Sequence, residues 1–427
     1  MSEQPSLRRV AVVGGLRTPF CRVGSAFQNF TSLALMKLLL KGAVDHFGLM
    51  GKEMGEVALG SVFFHPESWN FARDSVIGSG LDLRTPARGM QRACATSLDA
   101  ALVVAHQIAS GEIESAIAGG AESTSNIALY WNVHAARLLR NALQSKGWKD
   151  RWKHLLQLRP HDFKPRFPDV VEPSTKLSMG QHCEKMAQEW KITRADQDQL
   201  AYQSHQNAHR AYEDGFYRDL ILETEGVSRD NTLRSDTTLE KLSRLKPVFE
   251  RGPQGTLTAG NSSPLTDGAA VCLLASEQWA TKNNLPVLAH ITGGITRAID
   301  PQKEGLLMAP AYAVGALLEK KKLSLQDFDF YEIHEAFAAQ VLCTLQAWES
   351  DAFCKRIGLT RALGPLDRSR LNVVGGSVAL GHPFGATGAR LIAGLAKLLA
   401  THPQAKRGLI SICTGGGMGT VAILERT

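Results

Sequence analysis

One arrangement of residues occurs twice in this chain. Arg92-Ala-Cys-Ala-Thr-Ser97 opens a helix-like stretch, after which a β-like run reaches Gly119-Gly120. Further on, Gly381-His-Pro-Phe-Gly-Ala-Thr-Gly388 opens a second helix-like stretch, and a β-like run reaches Cys413 and Gly415-Gly416-Gly417. Internal self-similarity restricts the fold to one that uses the same unit in both places. Each copy sets a reactive side chain at a helix entrance, beside a strand ending in glycines. If a pseudo-twofold axis relates the copies, the two entrances converge on one site.

The texture around both copies is that of an α/β protein. In the first block, strands are expected at Val10–Val13, Leu59–Phe63 and Ser115–Ala118, with a helix over Leu98–Ile108. In the second, they are expected at Val287–Thr292, Phe328–Ile333, Leu371–Val374, Leu409–Cys413 and Thr420–Leu424. Ala269–Ala275 is a further run of this kind. Between the blocks Trp, Arg, Lys, Gln and His dominate, and Thr193–Gly215 reads as a polar-faced helix with Thr193 as N-cap and Gly215 as stop. The expected organisation is a first half at 1–125 and 253–284, an inserted helical segment at 126–252, and a second half at 285–427.

A chain of 427 residues is too long for one ordinary core. No apolar run approaches the ~20 residues of a membrane span. Seven cysteines without a CxxC pair oppose a disulfide framework and fit a reducing compartment. The first residues lack a signal-like apolar region, and Glu425-Arg426-Thr427 is not a peroxisomal address, so a cytoplasmic location is expected. Charge is concentrated in one place. Arg137–Arg166 carries nine basic residues against Asp150 and Asp162, an excess equal to the net +7 of the entire chain. Such a field attracts phosphorylated ligands, nucleic acid or acidic lipid, and a plain solvated basic loop has the same composition.

Four side chains carry candidate chemistry. Cys94 precedes a helical stretch among small neighbours. A helix N-terminus or an adjacent His⁺ lowers a thiol pKa of ~8.5 and supplies N–H groups for an oxyanion. Considered alone, the residue also reads as an inert buried cysteine. His382 lies in a loop with more Gly, Ala and Thr than a hydrogen-bonded turn requires, which leaves room for a ligand. Cys413 ends the apolar run from Leu409, and the glycines after it lead into Thr420-Val-Ala-Ile-Leu. That is a strand rather than a helix, which excludes a dinucleotide fingerprint. His334 stands at a strand-to-helix junction, a position shared by functional, capping and core histidines. A zinc site built from Cys94, His334, His382 and Cys413 lacks the close ligand pairs of structural zinc.

Together these segments resemble the thiolase family over nearly the whole chain. The matching pieces, in the family's order, are Gly15-Leu-Arg-Thr-Pro-Phe20, Arg92–Ser97, Ala118-Gly-Gly-Ala-Glu-Ser123, Met179-Gly180, Thr258-Ala-Gly-Asn-Ser-Ser263 with Asp267-Gly-Ala-Ala270, His334-Glu-Ala-Phe337, Gly381–Gly388 and Cys413–Gly419. The resemblance implies a duplicated, five-layered α-β-α-β-α fold with a loop domain inserted in its first half. It implies that Cys94 is the acylated nucleophile, His382 the base that activates it, and Cys413 the group that moves the proton to and from substrate. His334, with His382, would hold an oxyanion-binding water, and the N–H groups of Cys94 and Gly415 would form a second oxyanion hole. Gly260 and Ser263 would lie along the CoA pantetheine. Many members have Asn at the position of His334, and the His-Glu-Ala-Phe form resembles β-subunits of fatty-acid oxidation complexes. Leu98 and Phe384 depart from the Gly and the aliphatic residue of many members, with consequences for acyl-pocket shape.

The implied activity is that of a 3-ketoacyl-CoA thiolase of β-oxidation, acting on acyl-CoA and CoA without a metal or redox cofactor. The implied partners are a second copy of the chain and a hydratase/dehydrogenase α-subunit, with no nucleic acid. Residues 137–166 would contact membrane, partner or CoA. The alternatives are an acetoacetyl-CoA thiolase running in the synthetic direction and a non-catalytic acyl-CoA or sterol-binding protein on the same scaffold. Retention of all four reactive side chains opposes the second alternative. A ketoacyl synthase would leave Cys413 and its glycines without a role.

Overall fold

Residues 7–426, apart from 64, 65, 67, 167, 169 and 170, are described in this computed structural model. Its strands are β1 (Val10–Arg17), β2 (Cys21–Arg22), β3 (Glu56–Gly60), β4 (Ala87–Met90), β5 (Ser115–Glu122), β6 (Thr266–Ser276), β7 (Ala289–Ala298), β8 (Phe330–Ile333), β9 (Arg407–Thr414) and β10 (Met418–Glu425). They pair in the order β4-β3-β5-β6-β1-β7-β10-β9-β8, with β2 against β6. Read outward from the middle, β1-β6-β5-β3 recurs as β7-β10-β9-β8. In each series the first two pairings are antiparallel and the third is parallel. The halves meet where Ala11 and Val12 of β1 register with His290 and Ala289 of β7. β4 extends the first half, parallel to β3. In the second half its place is held by a single parallel bridge between Tyr331 and Leu371. The strand expected over Leu371–Val374 is therefore cut to one residue. Asn372 at φ 46° and Gly375 at φ 92° turn the chain away.

Period-two alternation feeds three cores. On β6, Ala270, Cys272 and Leu274 enter a central cluster, while Ala269, Val271, Leu273 and Ala275 enter an outer one with the helix Ser32–His46. On β9, Ile410 and Ile412 enter the same central cluster, while Leu409 and Cys413 enter a second outer cluster with the helices Ala309–Lys321 and Ala338–Glu349. The inner faces of both half-sheets thus share one core, filled by the helices Thr96–Ser110 and Thr387–Thr401. The result is five-layered: helix, sheet, helix, sheet, helix. Each fully buried aliphatic side chain in these cores is worth about 1.5–3 kcal/mol.

The two central helices touch at their N-termini. A Cβ on Gly388 would lie 2.3 Å from the backbone nitrogen of Leu98. Ser97 Oγ accepts a hydrogen bond from the Ala389 N–H at 2.9 Å. Those two contacts bring the residues just before each helix to one place.

Between β5 and β6 the chain forms the helices Val133–Gln144, Trp148–Leu155, Met179–Glu189, Arg194–Glu213 and Leu239–Ser243, and adds no strand to the sheet among the described residues. Thr193 caps the fourth, accepting from the Asp196 N–H at 3.1 Å, and Gly215 follows its end at φ 73°. A buried bidentate pair, Arg17 to Asp230 at 2.6 and 2.7 Å, fastens this segment to β1.

Candidate active site

Cys94 sits on the turn between β4 and the helix Thr96–Ser110. Ala93, directly before it, has φ 43°, a left-handed conformation costing ~1–2 kcal/mol for a residue with a Cβ. Thr96 Oγ1 holds that turn, accepting from the Arg92 N–H at 2.8 Å and donating to the Ala93 carbonyl at 2.7 Å. No side chain caps the helix at Ala95, so its first N–H groups remain open toward the cysteine. The second half builds the matching entrance. Gly381 has φ 95°, and the His382 N–H donates to Thr266 Oγ1 at 2.8 Å. The turn Phe384–Ala386 then leads into the helix Thr387–Thr401, again without a side-chain cap.

The structure brings Cys94, His334 and His382 together: one side-chain N or S atom from each lies within 4.8 Å of the others. The two imidazole centroids are 4.0 Å apart. His334 Nδ1 is 2.9 Å from Ser377 Oγ, and His382 Nδ1 is 2.6 Å from Thr387 Oγ1. Their Nε2 atoms are buried without a hydrogen-bond partner. Unsatisfied buried nitrogens are costly, and a pair of them beside a thiol marks the place a ligand completes. Ser377 Oγ also accepts from buried Arg390 Nη2 at 3.0 Å. Its own proton is free to go to His334 Nδ1, and in that tautomer His334 carries its proton on Nε2. Cys413 is buried outside the three-residue cluster, close enough for its thiol to be influenced by Cys94. The N–H groups of Gly415 and of Cys94 itself both hydrogen-bond the Cys94 sulfur.

Burial keeps all four reactive groups neutral. It pushes the Cys94 thiol up to about 12 and that of Cys413 well above the usual range. It brings His382 down to about 3 and His334 well below 6.5. The lowered thiol pKa expected from a helix entrance is not found, because desolvation outweighs the two N–H hydrogen bonds. Cys94 is enclosed yet keeps partial accessibility, so its sulfur is both desolvated and reachable. A neutral imidazole beside a neutral thiol is a base ready to take the proton as attack occurs.

Glu122 is a positioning residue to which sequence reasoning assigned no role. It accepts from the N–H groups of Val62 and Phe63 at 2.9 and 3.0 Å, from Ser61 Oγ at 2.8 Å and from the Gly385 N–H at 3.3 Å. It thereby ties the loop after β3 to the His382 loop, and burial raises its carboxyl to about 7. Its signal in the sequence was a lone acid ending a buried strand. Phe384 stacks edge-on against His382 at 5.0 Å and contacts Phe63 at 5.7 Å, forming a wall. Leu98 is fully buried in the central core, at the crossing of the two central helices beside Gly388. Glu335 accepts from Ser204 Oγ, Asn372 Nδ2 and the Val378 N–H, anchoring the loop after His334.

Gly260 and Ser263 line a cleft of about 620 Å³ together with Arg234, Lys241 and Leu265. Leu265 pairs with His382 in a parallel bridge, so the cleft adjoins the cluster. Ser263 is bound through its N–H and Oγ to the Ala336 carbonyl, joining this wall to the His334 loop.

The comparisons agree with this architecture. The family profile described as "Thiolase, N-terminal domain" matches residues 10–278, and "Thiolase, C-terminal domain" matches residues 285–426. A 3-ketoacyl-CoA thiolase of Pectobacterium carotovorum is 40% identical over 426 residues, covering 98% of this chain and 97% of that protein. The crystal structure of Bacillus anthracis acetyl-CoA acetyltransferase superposes with a TM-score of 0.81 at 32% identity, covering 98% of this chain and 99% of that one. Human mitochondrial 3-ketoacyl-CoA thiolase in complex with CoA gives 0.80 at 29% identity, covering 98% of each. Duplicated topology, converging helix entrances and two family profiles spanning both halves place this chain in the thiolase family.

Proposed function

We propose that this chain is a degradative 3-ketoacyl-CoA thiolase, an acetyl-CoA C-acyltransferase of β-oxidation. The observation that carries the reading is the cluster of Cys94, His334 and His382 with two partnerless Nε2 atoms, set beside a 620 Å³ cleft. Cys94 Sγ attacks the ketone carbon while its proton passes to His382 Nε2. The developing oxyanion takes hydrogen bonds from His334 Nε2–H and a bound water. The bond between C2 and C3 breaks, the acyl group stays on Cys94, and the leaving enolate takes the Cys413 proton to become acetyl-CoA. The CoA thiol then gives its proton to the Cys413 thiolate and attacks the acyl-cysteine, whose oxyanion faces the N–H groups of Cys94 and Gly415. The shortened acyl-CoA leaves, and the Cys94 thiolate takes back its proton from His382, which restores both thiols. Every step is a proton or acyl transfer, so the reading uses no resident metal or redox cofactor; CoA is a substrate.

Arg234 and Lys241 at the cleft suit the CoA phosphates, and Gly260 and Ser263 its pantetheine arm. The working assembly is a homodimer with a hydratase/dehydrogenase α-subunit in the cytoplasm. Contact with an acidic membrane surface is made through residues 137–166. Among the described residues, no helix is long and apolar enough to cross a membrane.

The test is CoA-dependent cleavage across 3-ketoacyl chain lengths, paired with intact-protein mass spectrometry. The expected result is an acyl increment on Cys94 and turnover that extends to long chains. Turnover confined to acetoacetyl-CoA would assign the synthetic thiolase instead, and absence of any adduct would leave a binding protein on the scaffold.

A further inference from the structure

His334 does more than complete an oxyanion site. With Cys94 Sγ and His382 it supplies three nitrogen and sulfur donors within 4.8 Å of one another, and both Nε2 atoms are buried and unpartnered. Each Nδ1 is fixed by a hydroxyl, Ser377 Oγ at 2.9 Å and Thr387 Oγ1 at 2.6 Å. Metal-binding histidines have this arrangement, one nitrogen facing the ion and the other held by an outer partner. One thiolate with two imidazoles suits a borderline-soft divalent cation, and three protein ligands leave the fourth tetrahedral position to water. Bond lengths of ~2.0–2.3 Å set tetrahedral ligands ~3.6 Å apart, so closure asks for a movement of about 1 Å at most.

We propose that Cys94, His334 and His382 form a Zn²⁺-binding site through which the ion reversibly inhibits this protein. Zn²⁺ takes no part in the acyl transfer described above. Bound here, it occupies the sulfur lone pair and the nitrogen that would accept its proton. The Cys94 S–H proton leaves to solvent as the S–Zn bond forms, and no electron is transferred. Ser377 Oγ either donates to His334 Nδ1 or accepts from it. The same imidazole therefore presents a proton to an oxyanion or a lone pair to the ion. His334 is the decisive ligand, since Asn in its place leaves only two donors of this kind. Cys94 is also the one partly accessible cysteine of the seven, so its alkylation reports on the site.

The test uses the metal-free full-length protein without substrate, so its outcome does not depend on the proposed reaction. The expected result is one Zn²⁺ per chain, suppression of iodoacetamide labelling of Cys94, and recovery with EDTA. Co²⁺ in place of Zn²⁺ should give tetrahedral d–d absorption with a thiolate charge-transfer band that Cys94→Ser removes. Ser377→Ala should weaken binding ~10–100-fold, the worth of an outer partner, and His334→Asn or His382→Asn by more. Unchanged labelling of the wild-type protein at stoichiometric Zn²⁺ sinks the proposal. So does protection that survives His334→Asn, because the ion would then be held by other residues.

Discussion

The two halves share one topology but use their helix entrances differently. In the first, the residue before the reactive side chain is Ala93 at φ 43°; in the second it is Gly381 at φ 95°. The first entrance presents a sulfur, and the second presents an imidazole that lies against another imidazole, His334, just after β8. The first half also carries the long insertion, whereas the second carries two buried carboxylates, Glu332 and Glu335, around the buried Arg390. Duplication supplied two equivalent positions around one point; in the proposed mechanism one holds the nucleophile and the other its base. The comparison predicts that equivalent substitutions in the two halves have unequal effects.

Cys94→Ser should have the largest effect. A hydroxyl is much harder to deprotonate during attack than a thiol and is the weaker nucleophile, so the barrier should rise by several kcal/mol, with each ~1.4 kcal/mol worth tenfold in rate. Turnover should fall by roughly 10³-fold or more while the fold and acyl-CoA binding persist. Cys413→Ala should behave differently, still accepting an acyl group from a simple thioester while α-proton exchange stops. Mass spectrometry of each variant mixed with acyl-CoA decides between them. An adduct that persists in Cys94→Ser and vanishes in Cys413→Ala would mean that the two cysteines have exchanged roles.

The paired test of the entrances comes next. In Gly381→Ala the new Cβ would lie 2.7 Å from Thr266 Cγ2, beside the hydroxyl that holds the His382 N–H. Its φ 95°, ψ 170° backbone belongs to glycine, so a loss of about 1–3 kcal/mol is expected. Displacement of His382 should lower kcat as well. Ala93→Gly should be nearly neutral, because relief of left-handed strain is offset by the ~0.4–1 kcal/mol of extra freedom in the unfolded chain. Equal losses at both positions, read from denaturant midpoints, would break the proposed asymmetry between the entrances.

The histidine pair and Glu122 should also differ in the sign of their pH dependence. His382 is held at about 3 and His334 well below 6.5, so the unfolded chain binds protons that the folded one refuses. Their contribution is fully present above pH 6.5 and is lost as pH falls through that value toward about 3. Glu122, raised from 4.5 to about 7, acts oppositely. Its contribution is present below 4.5 and is lost as pH rises through about 7. His334→Asn should flatten the acid-side rise in stability, and Glu122→Gln the decline toward neutrality. Each change is read as the difference in slope from the wild-type protein. Chemical denaturation at stepped pH values measures both slopes.

Much of this was legible in the residues themselves. Alternation along Leu409–Cys413 and Thr420–Leu424 located strands, and small residues around Cys94 and His382 marked both entrances. Three things were not legible, each for a physical reason. Val373 and Val374 suggest a strand, but the Asn372 side chain pairs with both the N–H and the carbonyl of Ile333, holding a turn instead. The Glu122–Gly385 hydrogen bond spans 263 positions, which leaves no spacing to read. The Cys94 thiol was expected to shift downward from its helix entrance, whereas its enclosure by both halves reverses the sign. Desolvation belongs to the assembled site and not to any local segment.

The smallest effects on stability should come from one exposed helix of the inserted segment. The helix Trp148–Leu155 has no buried residue; Trp148 is 70% and Trp152 56% exposed, beside Lys149, Arg151 and Lys153. Truncating the two tryptophans to Ala should change folding stability by no more than ~0.5 kcal/mol, the usual limit for exposed positions away from special features. By contrast Trp348, fully buried in the second half, should cost ~3–5 kcal/mol on truncation to Ala. Aromatic rings interleaved with cations suit the boundary of an anionic lipid layer, where each basic residue near the surface is worth ~1 kcal/mol. Trp148→Ala combined with Trp152→Ala should therefore reduce sedimentation with acidic vesicles while turnover of a soluble short-chain substrate stays unchanged. If vesicle association is unaltered and the KM for CoA rises instead, the cations of this segment act as a funnel to the cleft, and the membrane-contact reading fails.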